Sequence, residues 1–231
     1  MSANPLVVSA NALDTSGGGG LLADAAVFAE LDCRAVCVAT SVVSSDPLPL
    51  DLLARQLEAA QLAGPLGAAR VGYVSGTAQV EVVAGFLRRA VAATSVVATP
   101  VVDAETQDAI RRHLYPVARV VVVRAADLTS SADRPVEDLE ALRGAAVRLR
   151  EKGARAVVVA GWLSRTRVVD LLDDDGQVVL LDTARIQAPR FSGLAGAYAA
   201  ALAAHLARGL PLANAVEAAQ RYVGFRLLRG R

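Results

Sequence analysis

The chain has 231 residues, of which 54% are hydrophobic, 4% are aromatic and 20% are charged, and its formal net charge is +1. No apolar run reaches the roughly 20 residues that a membrane-spanning helix requires, so we expect no membrane association. The near-neutral charge and the scarcity of aromatic side chains argue against nucleic acid as a partner. Met1–Ser9 has no basic n-region, so we expect no signal peptide. Cys33 and Cys37 have no second cysteine pair, which predicts reduced thiols in a cytoplasmic protein.

In chain order, short apolar runs alternate with segments of helical periodicity. The predicted strands are Leu6–Ala10, Ala35–Ser41, Ala68–Val74, Ser95–Pro100, Arg119–Val123, Arg155–Ala160, Val168–Leu172 and Val178–Asp182. The predicted helices are Leu21–Leu31, Asp51–Leu62, Thr77–Ala90, Gln107–Tyr115, Pro135–Lys152, Ala197–Arg208 and Leu212–Leu228. This alternation predicts a mostly parallel sheet with helices on both faces, a three-layer α/β/α architecture. Asp174-Asp175-Gly176 predicts an antiparallel hairpin between the last two strands, and we expect residues 1–231 to form a single domain.

A glycine-rich loop, Asn11–Gly20, joins the first predicted strand to the first predicted helix. A strand, a glycine loop and a helix together favour binding of a phosphate or another ligand, although the lysine of a P-loop is missing. A flexible turn is the alternative interpretation. Ligands of parallel α/β sheets bind beyond the carboxyl ends of the strands. Asp14, Ser45, Thr99 and Asp127 all follow such predicted ends.

The segment Gly193–Leu212 combines a glycine-bearing turn, an alanine-rich helix and a Gly-Pro stop. Gly193 and Gly196 allow the backbone to turn tightly. The free N–H groups of Leu194, Ala195 and Gly196 at the helix start would attract an anion such as phosphate. Alternatively, alanine and glycine simply let a buried helix pack closely against a sheet.

The end of this helix, Ala207–Leu212, reads A-R-G-L-P-L, and the turn Gly193–Gly196 opens it. Both resemble the signature region of the hydroxymethylpyrimidine and phosphomethylpyrimidine kinases, a branch of the ribokinase-like superfamily, in which a G-T-G-C turn begins the helix. The resemblance implies a ribokinase-like fold, phosphorylation of a small molecule with ATP and Mg²⁺ in thiamine biosynthesis, and a homodimer. It covers nearly the full chain and is strongest at Asp14–Asp24 and Gly193–Leu212.

The resemblance also implies a set of substrate-binding residues. The family segment G-S-D-P-S-G-G-A-G-I-Q-A-D, which borders the substrate pocket, matches this chain at Asp14, Ser16, Gly17, Gly18, Gly20, Ala23 and Asp24. Ser45 falls where the family holds the pyrimidine ring with Gln or Glu, and Val101 ends the match to D-P-V. The strand sequence A-A-R-V-G-Y-V resembles V-K-I-G-M-L, with Arg70 for Lys, Gly72 kept and Tyr73 for Met. Tyr73 could stack on a flat ligand or pack at the rim of the pocket.

Several reactive positions of the family carry other residues in this chain. The family's cysteine, or the aspartate of ribokinases, falls on Gly196, so no catalytic side chain is predicted. The phosphate-neutralising lysine of K-G-G-H falls on Ala160. Asp127 keeps the acid of T-P-N-x-x-E, which helps to organise Mg²⁺, and Arg124 replaces the asparagine. Arg124 could instead form a surface ion pair with Asp127.

Three hypotheses follow from this pattern. The first is an active kinase of hydroxymethylpyrimidine or its phosphate, in which Arg185 or Arg190 replaces the missing lysine. The second, which the loss at Gly196 favours, is a relative that binds a pyrimidine, a pyridoxal-like compound or a phosphate without transferring phosphate. The third is a structural or regulatory partner of an active kinase.

Overall fold

The computed structural model describes residues 4–42, 46–91, 94–98, 100, 102–131, 138–186 and 193–229. Their strands form one nine-stranded sheet with the order β3-β2-β1-β4-β5-β6-β7-β8-β9. The strands are β1 (Leu6–Leu13), β2 (Arg34–Val42), β3 (Asp46–Pro47), β4 (Leu66–Val71), β5 (Ser95–Val97), β6 (Val120–Arg124), β7 (Ala156–Leu163), β8 (Arg167–Asp174) and β9 (Gln177–Ala184). The six strands from β2 to β7 in this order are parallel, whereas β3, β8 and β9 are antiparallel to their neighbours.

Helices cover both faces of the sheet. They are α1 (Gly20–Glu30), α2 (Leu50–Leu62), α3 (Gly76–Ala90), α4 (Ala104–Ala109), α5 (Ala125–Ser131), α6 (Leu139–Glu151), α7 (Leu194–Ala207) and α8 (Leu212–Arg229). One apolar core contains residues of α2, α3 and α6, and the other contains residues of α1, α7 and α8. The predicted three-layer α/β/α fold with a mostly parallel sheet and an antiparallel hairpin is therefore confirmed. None of the described helices is long and apolar enough to cross a membrane.

The central strands are apolar without interruption because both of their faces are buried. Val96 belongs to the core on the α7 side, whereas the next residue, Val97, belongs to the core on the α3 side. In β7 the same alternation separates Val158 from Val157 and Val159. Valine suits such positions because its branched side chain packs well on a pleated surface.

Helix α7 lies across the sheet with nine of its 14 residues buried. Its alanine side chains allow a close approach, and a Cβ added at Gly67 of β4 would lie 3.1 Å from the Cβ of Ala207. At the other end of α7, Gly196 lies near the side chain of Arg70, which stands near the end of β4. The helix therefore runs antiparallel to β4, and its N-terminus reaches the carboxyl edge of the sheet.

Several elements differ from the sequence predictions, among them β1, β4 and α5. Strand β1 continues to Leu13 rather than ending at Ala10, because residues through Leu13 still pair with β2. Strand β4 ends at Val71 rather than Val74, with Gly72 N–H donating to Ala10 O just beyond it. Helix α5 was not predicted, and it follows β6 without an intervening loop. The first difference places Asn11 inside the sheet, next to the site described below.

Candidate functional site

Two glycine-bearing segments meet at the carboxyl edge of the sheet. Gly193, the N-cap of α7, has a φ of +83°, and a Cβ added there would lie 2.1 Å from Gly18 O. Gly20, at the start of α1, has a φ of +63°, and its added Cβ would lie 2.3 Å from Ala12 O. Both positions therefore require glycine. The two stretches in which the sequence resemblance is strongest are in direct contact.

The first turn of α7 presents unpaired donors toward this junction. Ala197 N–H donates to Gly193 O at 2.8 Å, so the N–H groups of Leu194, Ala195 and Gly196 precede the first hydrogen bond within the helix. No side chain of the described residues caps the helix at Gly193. Because such N–H groups and the helix dipole both favour negative charge, this turn has the chemistry of an anion site. The binding of an anion by residues 193–196 remains a prediction.

Asp14 organises the neighbouring loop. Its carboxylate accepts hydrogen bonds from the hydroxyl of Ser16 at 2.6 Å and from Ser16 N–H at 2.9 Å. The hydroxyl bond is the main reason that the pKa of Asp14 lies below its ordinary value. Asp14 is partly exposed at this edge, and a hydrogen bond from the Gly19 backbone also lowers its pKa. Its contact with a substrate remains a prediction.

A buried polar cluster lies behind the junction. Asp24 of α1 accepts hydrogen bonds from the Ser9 hydroxyl at 2.6 Å and from the Asn11 side-chain amide at 3.0 Å. Its Oδ2 also forms an ion pair with Arg70 Nε at 3.3 Å. A Cβ added at Gly72 would lie 1.7 Å from Arg70 Nη1, so Gly72 leaves the space that the guanidinium fills. The sequence analysis named Asp24 only as a motif position, and the structure buries it.

A cavity of about 520 Å³ opens beside the first turn of α7. Its walls are mainly apolar, and they include Leu163, Val168, Ile186, Leu194, Val223 and Leu227. A volume of this size and an apolar lining with few polar groups are typical of small-molecule sites. The sequence analysis missed this cavity because most of its lining comes from β7, β8, β9 and α8, which are separate in the sequence. Arg185, one of the proposed replacements for the missing lysine, lies in the wall of the cavity.

One side of the cavity carries a buried acid. Asp170 of β8 is 2% exposed, and its Oδ1 accepts a hydrogen bond from Gly161 N–H at 2.7 Å. Burial raises the pKa of Asp170 to about 6, and the Gly161 N–H, Tyr198 and Gln220 oppose this increase. Asp170 Oδ2 and the Tyr198 hydroxyl nevertheless have no partner of normal hydrogen-bond geometry among the described residues. Burial and the charge of Asp170 raise the pKa of Tyr198, so its hydroxyl stays protonated.

The predicted magnesium residue is engaged by a neighbour. Asp127 Oδ2 accepts a hydrogen bond from Arg124 Nε at 2.6 Å, and Oδ1 accepts from Arg124 Nη2. Among the residues that the structure describes, no group of three or more His, Cys, Asp or Glu side chains is arranged to hold a metal ion. A magnesium ion at Asp127 remains a prediction, and the ion pair with Arg124 is its competitor.

The remaining predicted site residues fall into two groups. Tyr73 is half-buried just beyond the end of β4, where its N–H donates to Asn11 Oδ1 at 2.8 Å. Its role in stacking remains a prediction. Four residues lie outside the described part of the chain, namely Ser45, Thr99, Val101 and Arg190.

The fold and the glycine junction define a ribokinase-like protein with a small-molecule cavity beside a helix N-terminus. Residues 14–229 match the family model for phosphomethylpyrimidine kinase. Because this match covers most of the chain, the chain belongs to the phosphomethylpyrimidine kinase family.

Relatives and solved structures agree with this assignment. The chain is 30% identical to the hydroxymethylpyrimidine/phosphomethylpyrimidine kinase of Synechococcus elongatus, covering 95% of this chain and 90% of that protein. It is also 30% identical to a putative pyridoxine kinase of Staphylococcus aureus, and the match covers 94% of this chain and 86% of that protein. The structure of Staphylococcus aureus pyridoxal kinase in complex with ADP aligns with a TM-score of 0.87 at 27% identity, covering 98% of this chain and 88% of that one. Another structure of that kinase, in complex with pyridoxal, has the same TM-score.

Proposed function

We propose that this protein binds an adenine nucleotide in the cavity beside α7 and transfers its phosphate slowly or not at all. The observation that carries this proposal is the combination of an intact helix start with Gly196, which has no side chain. The helix start supports binding of a phosphate group. The missing side chain removes the group that would activate a substrate hydroxyl.

A nucleotide fits the residues that are present. The apolar walls from β7, β9 and α8 would hold a planar base, and the adjacent N–H groups of Leu194–Gly196 would receive the phosphates. Arg185 would supply positive charge from the cavity wall. Structures of the Staphylococcus aureus pyridoxal kinase hold ADP and AMP-PCP, which supports a nucleotide as the ligand class.

The residues that are present fit a Mg²⁺ ion less well than they fit a nucleotide. Ion pairing with Arg124 occupies Asp127, and the described residues offer no cluster of three metal ligands. Mg²⁺ in nucleotide sites usually keeps several waters and binds through the phosphates and one or two carboxylates. We therefore propose that any Mg²⁺ arrives with the nucleotide, and that Asp127 is the carboxylate that would meet it after leaving Arg124.

The chemistry of transfer is where the site is deficient. General base assistance contributes on the order of 10²–10⁴-fold to a rate, and Gly196 supplies none. The lysine that neutralises phosphate charge in the family is Ala160 here, and removal of such a cation costs a comparable factor. These two losses act on the same transition state, so we expect little turnover even with both ligands bound.

The second candidate function is phosphorylation of hydroxymethylpyrimidine, its phosphate or pyridoxal. The observation that favours it is the contact between the Asp14–Gly20 loop and the start of α7, which would bring a substrate hydroxyl and a nucleotide phosphate to one edge of the sheet. If this function is correct, a group outside the described residues must replace the lost side chain. A homodimer, a single domain and a cytoplasmic location remain part of the proposal.

The first test compares binding with turnover. Calorimetric titration with ATP and adenosine should show binding of both, because the cavity holds the base. Phosphorylation of hydroxymethylpyrimidine, its phosphate and pyridoxal with Mg-ATP should be at least roughly 10²-fold slower than that of the Staphylococcus aureus pyridoxal kinase assayed beside it. Turnover at a comparable rate would establish the second candidate function. Absence of nucleotide binding would leave the third hypothesis, a structural or regulatory partner.

The variant Gly196→Cys tests whether the other residues that phosphate transfer requires are functional. Among the described residues, a Cβ at this position meets Arg70 Nη2 alone, at 3.7 Å, so the substitution fits this part of the fold. We expect turnover to increase relative to the natural chain if the loss at Gly196 is the main deficiency. An equally slow Gly196→Cys variant that still binds ATP would place the deficiency elsewhere, with Ala160 the first candidate.

Replacement of Asp14 tests the substrate side of the junction. We expect Asp14→Ala to weaken the binding of hydroxymethylpyrimidine or pyridoxal by roughly 10-fold or more, because a hydrogen bond to a charged group is lost. Ser16→Ala is the matched control, since it disturbs the same loop but keeps the carboxylate. If the two variants lose the same affinity for hydroxymethylpyrimidine or pyridoxal, Asp14 contributes only by ordering the loop.

A further inference from the structure

Arg70 is a buried cation whose hydrogen-bonding capacity is largely unused. Its side chain is 5% exposed and stands near the end of β4. Among the described residues, the ion-pair partner of Arg70 is Asp24, whose Oδ2 lies 3.3 Å from Nε, and neither Nε nor Nη1 has a partner of hydrogen-bond geometry there. Buried guanidinium groups are normally well hydrogen-bonded because desolvation of an unsatisfied charged group is costly. Arg70 therefore has N–H donors that no group of the described residues accepts.

The guanidinium lies directly behind the first turn of α7. Arg70 Nη2 is 3.7 Å from the position that a Cβ at Gly196 would occupy, and Nη1 fills the space above Gly72. Gly72 in the sheet thus makes room for this head group, and Gly196 in the helix lies at van der Waals distance from it. The same turn of α7 presents the N–H groups of residues 194–196 without a capping side chain.

We propose that Arg70 and the first turn of α7 form one anion site, in which Arg70 Nη2 and the N–H groups of Leu194–Gly196 hold a phosphate group. The inference rests on the proposed function in that the phosphate would be the nucleotide's, and it assigns the cation that the family lysine no longer supplies at Ala160. Asp24 balances the charge of Arg70 through its contact with Nε and helps to fix the position of the guanidinium. Arg70 is a phosphate-binding residue in this scheme and takes no proton.

In this anion site, the absence of a side chain at Gly196 has a physical consequence. An acid at that position would lie against Nη2 and at the helix start, so it would pair with Arg70 and compete with the phosphate. A small neutral side chain would leave the guanidinium free. The consequence is that Gly196→Asp should fill the anion site from within the chain.

The test separates recognition of the base from recognition of the phosphates. Binding of adenosine, ADP and inorganic pyrophosphate is measured for the natural chain and for Arg70→Met, which keeps the volume and removes the charge. We expect ADP and pyrophosphate to bind about 10- to 100-fold more weakly, and adenosine to bind as before, because charge-assisted hydrogen bonds are lost. Arg70→Lys should recover part of the affinity for ADP.

Two further variants keep the test decisive if Arg70→Met does not fold. The double variant Asp24→Asn, Arg70→Met removes both charges, so no uncompensated carboxylate is left in the core. Gly196→Asp keeps Arg70 and should abolish the stabilisation by pyrophosphate while raising the melting temperature without ligand. An unchanged ratio of ADP to adenosine affinity in the folded variants would overturn the inference and leave Arg70 as a counter-ion of Asp24.

The outcomes also distinguish this inference from the proposed function. Stabilisation by pyrophosphate that depends on Arg70, in a chain that does not bind adenosine, would support the anion site and refute the nucleotide cavity. Binding of adenosine and ADP with equal affinity in the natural chain would support the cavity and refute the anion site.

Discussion

Substitution of Gly193 by alanine is expected to lower the free energy of unfolding by about 3 kcal/mol. Gly193 has a φ of +83°, which costs a side-chain-bearing residue about 1 kcal/mol or more. Its added Cβ would lie 2.1 Å from Gly18 O, so the backbone of the loop or of α7 must also move. The same movement should misplace the N–H groups of the first turn and weaken phosphate binding. Urea denaturation and pyrophosphate titration of the variant measure the two effects.

Gly209 provides a matched control at the other end of α7. Its φ is +84°, and no atom lies within 4 Å of an added Cβ. Gly209→Ala therefore carries the backbone cost without the collision, and we expect a loss of only about 1 kcal/mol and unchanged pyrophosphate binding. Equal losses at Gly193 and Gly209 would show that the glycine junction is not a tight contact.

The fold could be predicted from the sequence because its signals are local and repeated. Uninterrupted valine runs such as that in β6 indicate strands buried on both faces, and alternation with helical segments predicts the parallel sheet. The hairpin between β8 and β9 was predicted from Asp174-Asp175-Gly176, and the structure has that turn. Asp173 lies between the predicted strand and this turn, and the structure buries it in an ion pair with Arg150. The local sequence does not show whether Asp173 belongs to the strand or to the turn. Its burial follows from the pairing of β8 with β9.

The site could be predicted only where a motif lies on a single segment. The Asp14–Gly20 loop and the start of α7 were each found from their glycines, and their contact explains why both need glycine. The cavity and the burial of Arg70 depend on side chains brought together from separate elements. Neither can therefore be predicted from the periodicity or the spacing of residues in the sequence. Arg70 was noted only as a replacement for lysine, because its proximity to Gly196 arises when α7 packs on β4.

Asp170 should make the protein less stable as the pH rises from about 4 to 7. Burial raises the pKa of Asp170 to about 6 in the folded chain, whereas the unfolded chain has the ordinary value of 3.8. Between these values the folded state binds more protons than the unfolded state, so the contribution of this group to stability is present below pH ~4 and is lost as the pH passes through about 6. The shift corresponds to about 3 kcal/mol at most. Urea midpoints at a series of pH values measure it.

The variant Asp170→Asn should flatten this pH dependence and raise stability at pH 7.5 by about 2 kcal/mol, since the amide still accepts a hydrogen bond from Gly161 N–H. Asp173→Asn in the same strand is the contrasting control. Asp173 Oδ1 is 3.1 Å from Arg150 Nη1 and 2.8 Å from Gly176 N, so loss of its charge should destabilise the protein. Two buried acids of one strand then respond with opposite signs, because one has a cationic partner and the other faces a cavity. Destabilisation of Asp170→Asn at pH 7.5 would mean that the hydrogen bonds to the carboxylate outweigh the cost of burying its charge, and would contradict the raised pKa.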